Sequence, residues 1–203
     1  MIADMTPLPL LSHRETLCLG CREKVCCSYY TVTLTSLDVW RIARAMQVAP
    51  VDFVAYRLAP EADEGGFQLE PGGPFYALVL AKRPLPEPLP APCVFLLRTN
   101  DDHALCGLGA LRPGQCRAYP VYVTGDVVGL INDPAGCVRR WSYADIDVEA
   151  EREASRGLAA EEAAHRATVG EWNERVNAGG QARSFEDFCA YLLNRHAAME
   201  AAR

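Results

Sequence analysis

The sequence predicts an α+β protein with small antiparallel sheets and hairpins, irregular cysteine-lined loops and C-terminal helices. Three observations carry that expectation. Short β-prone runs bounded by Gly and Pro turns fill the first two thirds, cysteines are scattered over those turns, and the last third is rich in Ala, Glu and Arg with helical spacing.

Taken in order, Tyr29 to Thr35 alternates in a β-prone way, and Ser36 to Met46 reads as a helix with Leu37, Trp40, Ile42, Ala43 and Met46 inward. Thr35 followed by Asp38 is a capping-box start. Pro50 to Leu58 reads as a second short helix, because Pro50 suits a first turn. Gly66 to Lys82 suggests a hairpin turning at Pro71-Gly72-Gly73-Pro74. Pro84, Pro86, Pro88, Pro90 and Pro92 then form an extended surface connector.

Beyond it, Cys93 to Arg98 reads as a strand, Asn100-Asp101-Asp102 as a turn, and Cys106 to Tyr119 as irregular backbone. Val121 to Ile131, turning at Thr124-Gly125-Asp126, is a second hairpin, and Asp133 to Cys137 is a turn. Asp147 to Asn177 is helical with a break at Gly157, and Ser184 to Arg203 is a helix whose Phe185, Phe188, Leu192 and Leu193 form an inward stripe. This divides the chain into a cysteine-cluster domain over 1–146 and a C-terminal helical extension over 147–203.

Half of the 203 residues are apolar and the formal charge is −6, an ordinary globular composition without the basic footprint of a nucleic-acid binder. No stretch approaches the roughly 20 apolar residues of a membrane span, and Met1 to Ser12 carries no leader signature. Nucleic acid and membrane are therefore not expected as partners, another protein is, and a cytoplasmic location follows. In that reducing setting nine cysteines, an odd number, point to metal or redox work.

The densest cluster is Cys18, Cys21, Cys26 and Cys27. Neighbouring Cα atoms lie about 3.8 Å apart, below the roughly 4.4 Å an unstrained disulfide needs, so Cys26 and Cys27 should not bridge each other. Metal ligation suffers no such strain. Adding Cys93, Cys106, Cys116 and Cys137 gives eight candidate thiolate ligands, twice the four of a zinc or [4Fe-4S] site, and spacing leaves open whether they form one site or two. Cys189 lies beside the stripe of the last helix and reads as a small buried hydrophobe. His103 reads as an exposed loop residue, and His13, His165 and His196 have no partner spacing.

Several motifs in order resemble the YkgJ-like cysteine-cluster proteins, a zinc- or iron-chelating family often called Fe-S-cluster-containing. The early C-x2-C…CC is followed by Val32-Thr33-Leu34-Thr35-Ser36-Leu37-Asp38-Val39-Trp40-Arg41-Ile42-Ala43, similar to the family's V-x-L-T-x-x-D-x-x-R-[IL]-A stretch. Cys93-Val94-Phe95-Leu96 resembles its C-x-F-L, and Cys106-x5-Arg112-Pro113-x2-Cys116-Arg117-Ala118-Tyr119-Pro120 its C-x5-R-P-x2-C-R-x-Y-P. Cys137 falls where a late cysteine is usual. The resemblance spans Cys18 to Cys137, with a longer step between Cys21 and Cys26 than the common family form. It implies a metal centre.

A thiolate-ligated centre of either kind carries a charge of about −2, which Arg112 and Arg117, bracketing Cys116, are placed to offset; the alternative is that they pair with carboxylates. The expected function is an iron–sulfur protein, [4Fe-4S], with an electron-transfer or accessory role. A structural zinc interaction module is the alternative, and a metalloenzyme, either an oxidoreductase or a protein-modifying transferase, the second. No nucleophile and base at persuasive spacing assigns a catalytic residue: Asp101 with Asp102 and Asp145 with Asp147 read as turn and helix-start residues.

Overall fold

The computed structural model describes residues 13–59, 65–86, 90–101 and 103–202. Met1 to Ser12, the side chain of His13, and the turn and connector residues Asp102 and Pro88 lie outside them. In chain order the elements are α1 (His13–Leu19), α2 (Cys26–Tyr29), α3 (Ser36–Met46), β1 (Val54–Leu58), β2 (Tyr76–Leu80), β3 (Leu96–Arg98), β4 (Ala104–Cys106), α4 (Gly114–Ala118), β5 (Val121–Thr124), β6 (Val127–Leu130), α5 (Val148–Gly179) and α6 (Phe185–Ala201). The strands make three two-stranded antiparallel sheets, β1 with β2, β3 with β4 and β5 with β6, so the protein is α+β.

Local chemistry sets the long helices. Thr35 and Asp38 form the expected capping box on α3, and Ser184 and Asp187 form one on α6. Asp147 caps α5 by accepting from the backbone of Glu149 and Ala150, and Gly180 ends it in the left-handed region. Asp145 completes a capping box with Ser142 on the single turn before it. The β5–β6 hairpin turns at Gly125, whose φ of 58° suits glycine.

Four expectations need correction. Pro50 to Leu58 is only a single 3-10 turn over Pro50–Asp52, after which the chain extends as β1 and pairs Val54 with Leu80 through Leu58 with Tyr76. The pairing is non-local and outweighs the local helical pattern. The hairpin over 66–82 is consequently reduced, since β2 takes β1 as its partner and Phe67 contributes only a bridge to Tyr76. Cys106 to Tyr119 is not wholly irregular: it holds β4, a 3-10 turn at Gly109–Leu111 and α4. Gly157 does not break α5, because packing of Val169, Trp172 and Val176 further along outweighs a cost of about 1 kcal/mol for one helical glycine.

One apolar cluster lies between α3, β1, β2, α5 and α6: Val39, Ile42, Phe53, Phe67, Val176, Phe188 and Leu192 are at most 1 % exposed. Phe67 stacks on Phe188 with centroids 4.0 Å apart, and Trp172 donates its indole N–H to the Gln68 carbonyl at 2.7 Å. Cys189 is buried on α6. Short elements beside this cluster carry the remaining cysteines, and Cys93 and Cys106 pack against it.

Candidate metal centre

Eight cysteines from five separate stretches reach one cavity. Cys18 and Cys21 come from α1 and the turn after it, Cys26 and Cys27 from α2, Cys93 from the approach to β3, Cys106 from β4, Cys116 from α4 and Cys137 from the turn after β6; all eight line a space of about 850 Å3. All nine cysteines are free thiols, and Cys189 is not on its wall. Among the described residues no three His, Cys, Asp or Glu side chains already converge on a single point.

Backbone hydrogen bonds position them. Cys93 donates its N–H to the Cys27 carbonyl at 2.8 Å, Lys82 bridges to Cys93 and reaches the Ser28 carbonyl at 2.7 Å, and β3 pairs Leu96 with Cys106. Cys116 depends on Asp38, a link that sequence did not reveal. Beyond its cap on α3, the Asp38 carboxylate accepts from the Gly114 N–H at 3.1 Å, which fixes the start of α4. Gln115 accepts from Thr33 N–H at 2.9 Å, so the two longest motifs of the sequence touch each other here. A Cβ at Gly114 would stand 2.4 Å from the tip of the Leu158 side chain, which would have to turn aside to admit it.

The walls carry buried cations. Arg112 is 6 % exposed; among the described residues its Nε and Nη2 have no hydrogen-bond acceptor, and Nη2 forms an ion pair with Glu15 at 3.6 Å. Arg117 is a third exposed and pairs with Glu161 at 3.4 Å, so both arginines expected to offset thiolate charge have a carboxylate within ion-pair distance. Sequence reasoning missed Lys24 and Arg14. Lys24 is buried with φ of 48°, and its Nζ donates to the carbonyls of Cys18 and Leu19 at 2.6 and 2.9 Å. Arg14 is buried against Glu151 of α5 at 2.6 Å and also donates to the carbonyls of Arg117 and Tyr119. No local pattern marks a buried cation; only the non-helical backbone of Lys24 distinguishes it.

These charges act on the sulfurs. Cys26 is brought down to about 7, first by the hydrogen bond from Cys27 and, against burial, by the Lys24 charge. Cys27 moves up for the reciprocal reason, with burial and the charges of Cys26, Cys93 and Cys106 adding to it. Burial pushes Cys116 well up, the neighbouring Cys106, Cys93 and Cys26 push it further, and Arg112 opposes them. Cys18 is also raised by burial, with Arg112 and Arg14 opposing. Tyr119, beside Tyr30 with ring centroids 5.3 Å apart, has its hydroxyl pushed up by burial, then by Tyr30 and Cys137.

By donor type the site would suit a soft-ligand metal: sulfur in excess, cations to offset its charge, and no histidine on the wall among the described residues. His103 lies outside it, partly exposed and 3.5 Å from Asp101. His165 accepts from the Ser36 N–H at 3.1 Å, and His196 packs beside Trp40 with ring centroids 5.9 Å apart.

The chain matches no protein-family model, no curated protein and no solved structure.

Proposed function

We propose that this is a metal-binding protein that holds an iron–sulfur cluster, [4Fe-4S], through cysteine thiolates in the manner of the YkgJ-like proteins, with an electron-transfer or accessory role beside another protein in a reducing, cytoplasmic setting. The observation that carries the reading is that eight free thiols from five distant stretches line one cavity whose wall includes buried Lys24 and Arg112. Arg112 pairs with Glu15 at 3.6 Å and Lys24 Nζ is held by two backbone carbonyls, and ligating thiolates would add a further anion to offset both buried cations. An iron–sulfur cluster, when bound, supplies one-electron chemistry at a potential set by charge, hydrogen bonds and burial around its sulfurs.

The residues that would hold the metal are Cys18, Cys21, Cys26, Cys27, Cys93, Cys106, Cys116 and Cys137. Lys24 favours the thiolate form of Cys26, Arg112 offsets charge at Cys18 and Cys116, and Asp38 keeps α4 in place beneath Cys116.

Anaerobic purification followed by metal and sulfide analysis and a visible spectrum tests this. Iron with equimolar sulfide and a brown chromophore is the expected result. A colourless protein holding only zinc, even after reconstitution with iron and sulfide, would replace the cluster by a structural zinc module using the same ligands. A chain that takes up neither metal would overturn the proposal.

A further inference from the structure

The β3–β4 hairpin has two faces of different character. Its register pairs Leu96 with Cys106 and Arg98 with Ala104, with Leu97 opposite Leu105 between them. Alternation along each strand sends Leu96, Ala104 and Cys106 to one side and Leu97 and Leu105 to the other. The first side is internal: Leu96 and Ala104 are each 1 % exposed, and Cys106 lines the cavity. The second meets solvent, with Leu97 52 % and Leu105 45 % exposed. Single exposed leucines are ordinary, but two paired across the outer face of a hairpin form a small apolar patch, and this hairpin carries a candidate ligand on its inner face.

Positive charge borders the patch. Exposed Arg22 is fixed beside β4 because its carbonyl accepts from the Ala104 N–H at 2.9 Å, and exposed Arg83 beside β3 because its guanidinium donates to the Leu96 carbonyl. Among the described residues neither arginine pairs with a carboxylate. Arg98, at the end of β3, is a third exposed cation. Glu23 and Asp101 stand beside them, and Asp101 is already engaged by the Thr99 hydroxyl and His103. Because the chain as a whole carries −6, an acidic partner meets net repulsion from the molecule and local attraction at this hairpin, which fixes its orientation. We propose that the outer face of the β3–β4 hairpin, Leu97 and Leu105 framed by Arg22, Arg83 and Arg98, docks an acidic one-electron carrier protein. The inference rests on the iron–sulfur reading above, under which a redox centre lies behind this face. One electron passes between carrier and cluster, one being oxidised as the other is reduced, and no bond forms or breaks. A patch of two leucines suits the small, weak interfaces of such encounters, which bury less than about 1,200 Å2.

The probe is oxidised flavodoxin, an acidic carrier, titrated into the full chain after anaerobic reconstitution, with iron and sulfide counted in the same samples. Binding should weaken about tenfold between about 20 and 200 mM salt. Arg22→Glu combined with Arg83→Glu should weaken it at least tenfold at the lower salt, and Leu97→Ser combined with Leu105→Ser by about as much, each with wild-type iron content. Iron-loaded wild type that does not bind flavodoxin, or binding that the charge reversal leaves unchanged, would overturn the docking face and leave the cluster standing. A concentration-dependent dimer in sedimentation that the leucine substitutions dissolve would put a second copy of this chain on the face and overturn the acidic partner. Wild type without iron and sulfide fails the cluster reading instead, so the two failures are told apart in one set of samples.

Discussion

The two ends of the molecule hold themselves together by different means. At one, α3, α5 and α6 close on β1 and β2 with whole aromatic side chains buried, Phe53, Phe67 and Phe188 among them. At the other, the elements are short: α1 has 7 residues, α2 has 4, α4 has 5, and β3 and β4 have 3 each. Helices of that length are marginal by themselves, and the buried residues in and around them include Arg14, Lys24 and Arg112. Packing stabilises the first end without help. The second combines buried charge and buried apolar side chains such as Leu96, Leu108 and Trp141 with a cysteine-lined cavity, and under the proposed metal binding, ligation would add to its stability.

Removing metal should separate the ends most strongly. Structural zinc sites contribute about 10 to 16 kcal/mol, comparable with a domain's whole stability of about 5 to 15, so the cysteine end has the most to lose. In the chelated protein, amide exchange over 18–30 and 93–137 should rise by orders of magnitude, while 36–46, 165–178 and 185–198 stay protected. Uniform loss of protection in one transition would break the comparison, and unchanged exchange at both ends would contradict the metal.

The next largest effect lies at the joint. Arg14 and Glu151 are side chains of 4 % and 5 % exposure that tie α1 to α5, and removing one partner leaves the other buried and uncompensated. Arg14→Met should therefore cost about 3 to 5 kcal/mol, read as a lowered urea midpoint, and adding Glu151→Met should restore much of it. A double variant as unstable as the single one would show that the pair's work lies instead in the Arg14 bonds to the carbonyls of Arg117 and Tyr119.

The same contrast decides what a reader of the sequence can see. At the packed end the signals are local: Thr35 with Asp38 and Ser184 with Asp187 announce helix starts, and Phe188 and Leu192 repeat at helical spacing. The Val121 to Ile131 hairpin is legible for a similar reason, with Gly125 at its turn. Strand β1 is not, because only Tyr76 to Leu80, some twenty residues on, makes Val54 to Leu58 extended. The set of cavity-lining cysteines is legible by residue type, since the eight share a wall. Its supports are not: Arg14 and Lys24 look like ordinary surface cations until folding buries them, and nothing local says that Asp38 holds Gly114 as well as its own helix.

Acid should weaken the packed end. His165 is buried between α3 and α5, its Nδ1 accepting from Ser36, and burial holds its pKa down to about 4, with Asp38 opposing and Arg166 and His196 assisting. The unfolded histidine titrates near 6.5. Between these values the unfolded chain binds more protons than the folded one, so stability is full above about 6.5, falls by about 3 kcal/mol as pH drops to about 4, and levels off below. Denaturation midpoints measured across that range for wild type and His165→Asn check the sign, since the variant should lose most of the slope. Equal slopes would assign the acid sensitivity to the cysteine end.

The smallest effect is the sharpest control. Cys189 is a cysteine like the other eight in chemistry but belongs to the packed end, buried at 3 % exposure on α6 with its thiol pushed up to about 12 by burial. Cys189→Ser places a hydroxyl in an apolar site, which costs about 1 to 2 kcal/mol, and should leave the metal content at the wild-type value. Cys116→Ser makes the identical chemical change on the cavity wall and should lose metal instead. If the two variants lost metal equally, thiol count alone would govern binding, and the boundary drawn here between a packed end and a ligand-bearing end would have no physical content.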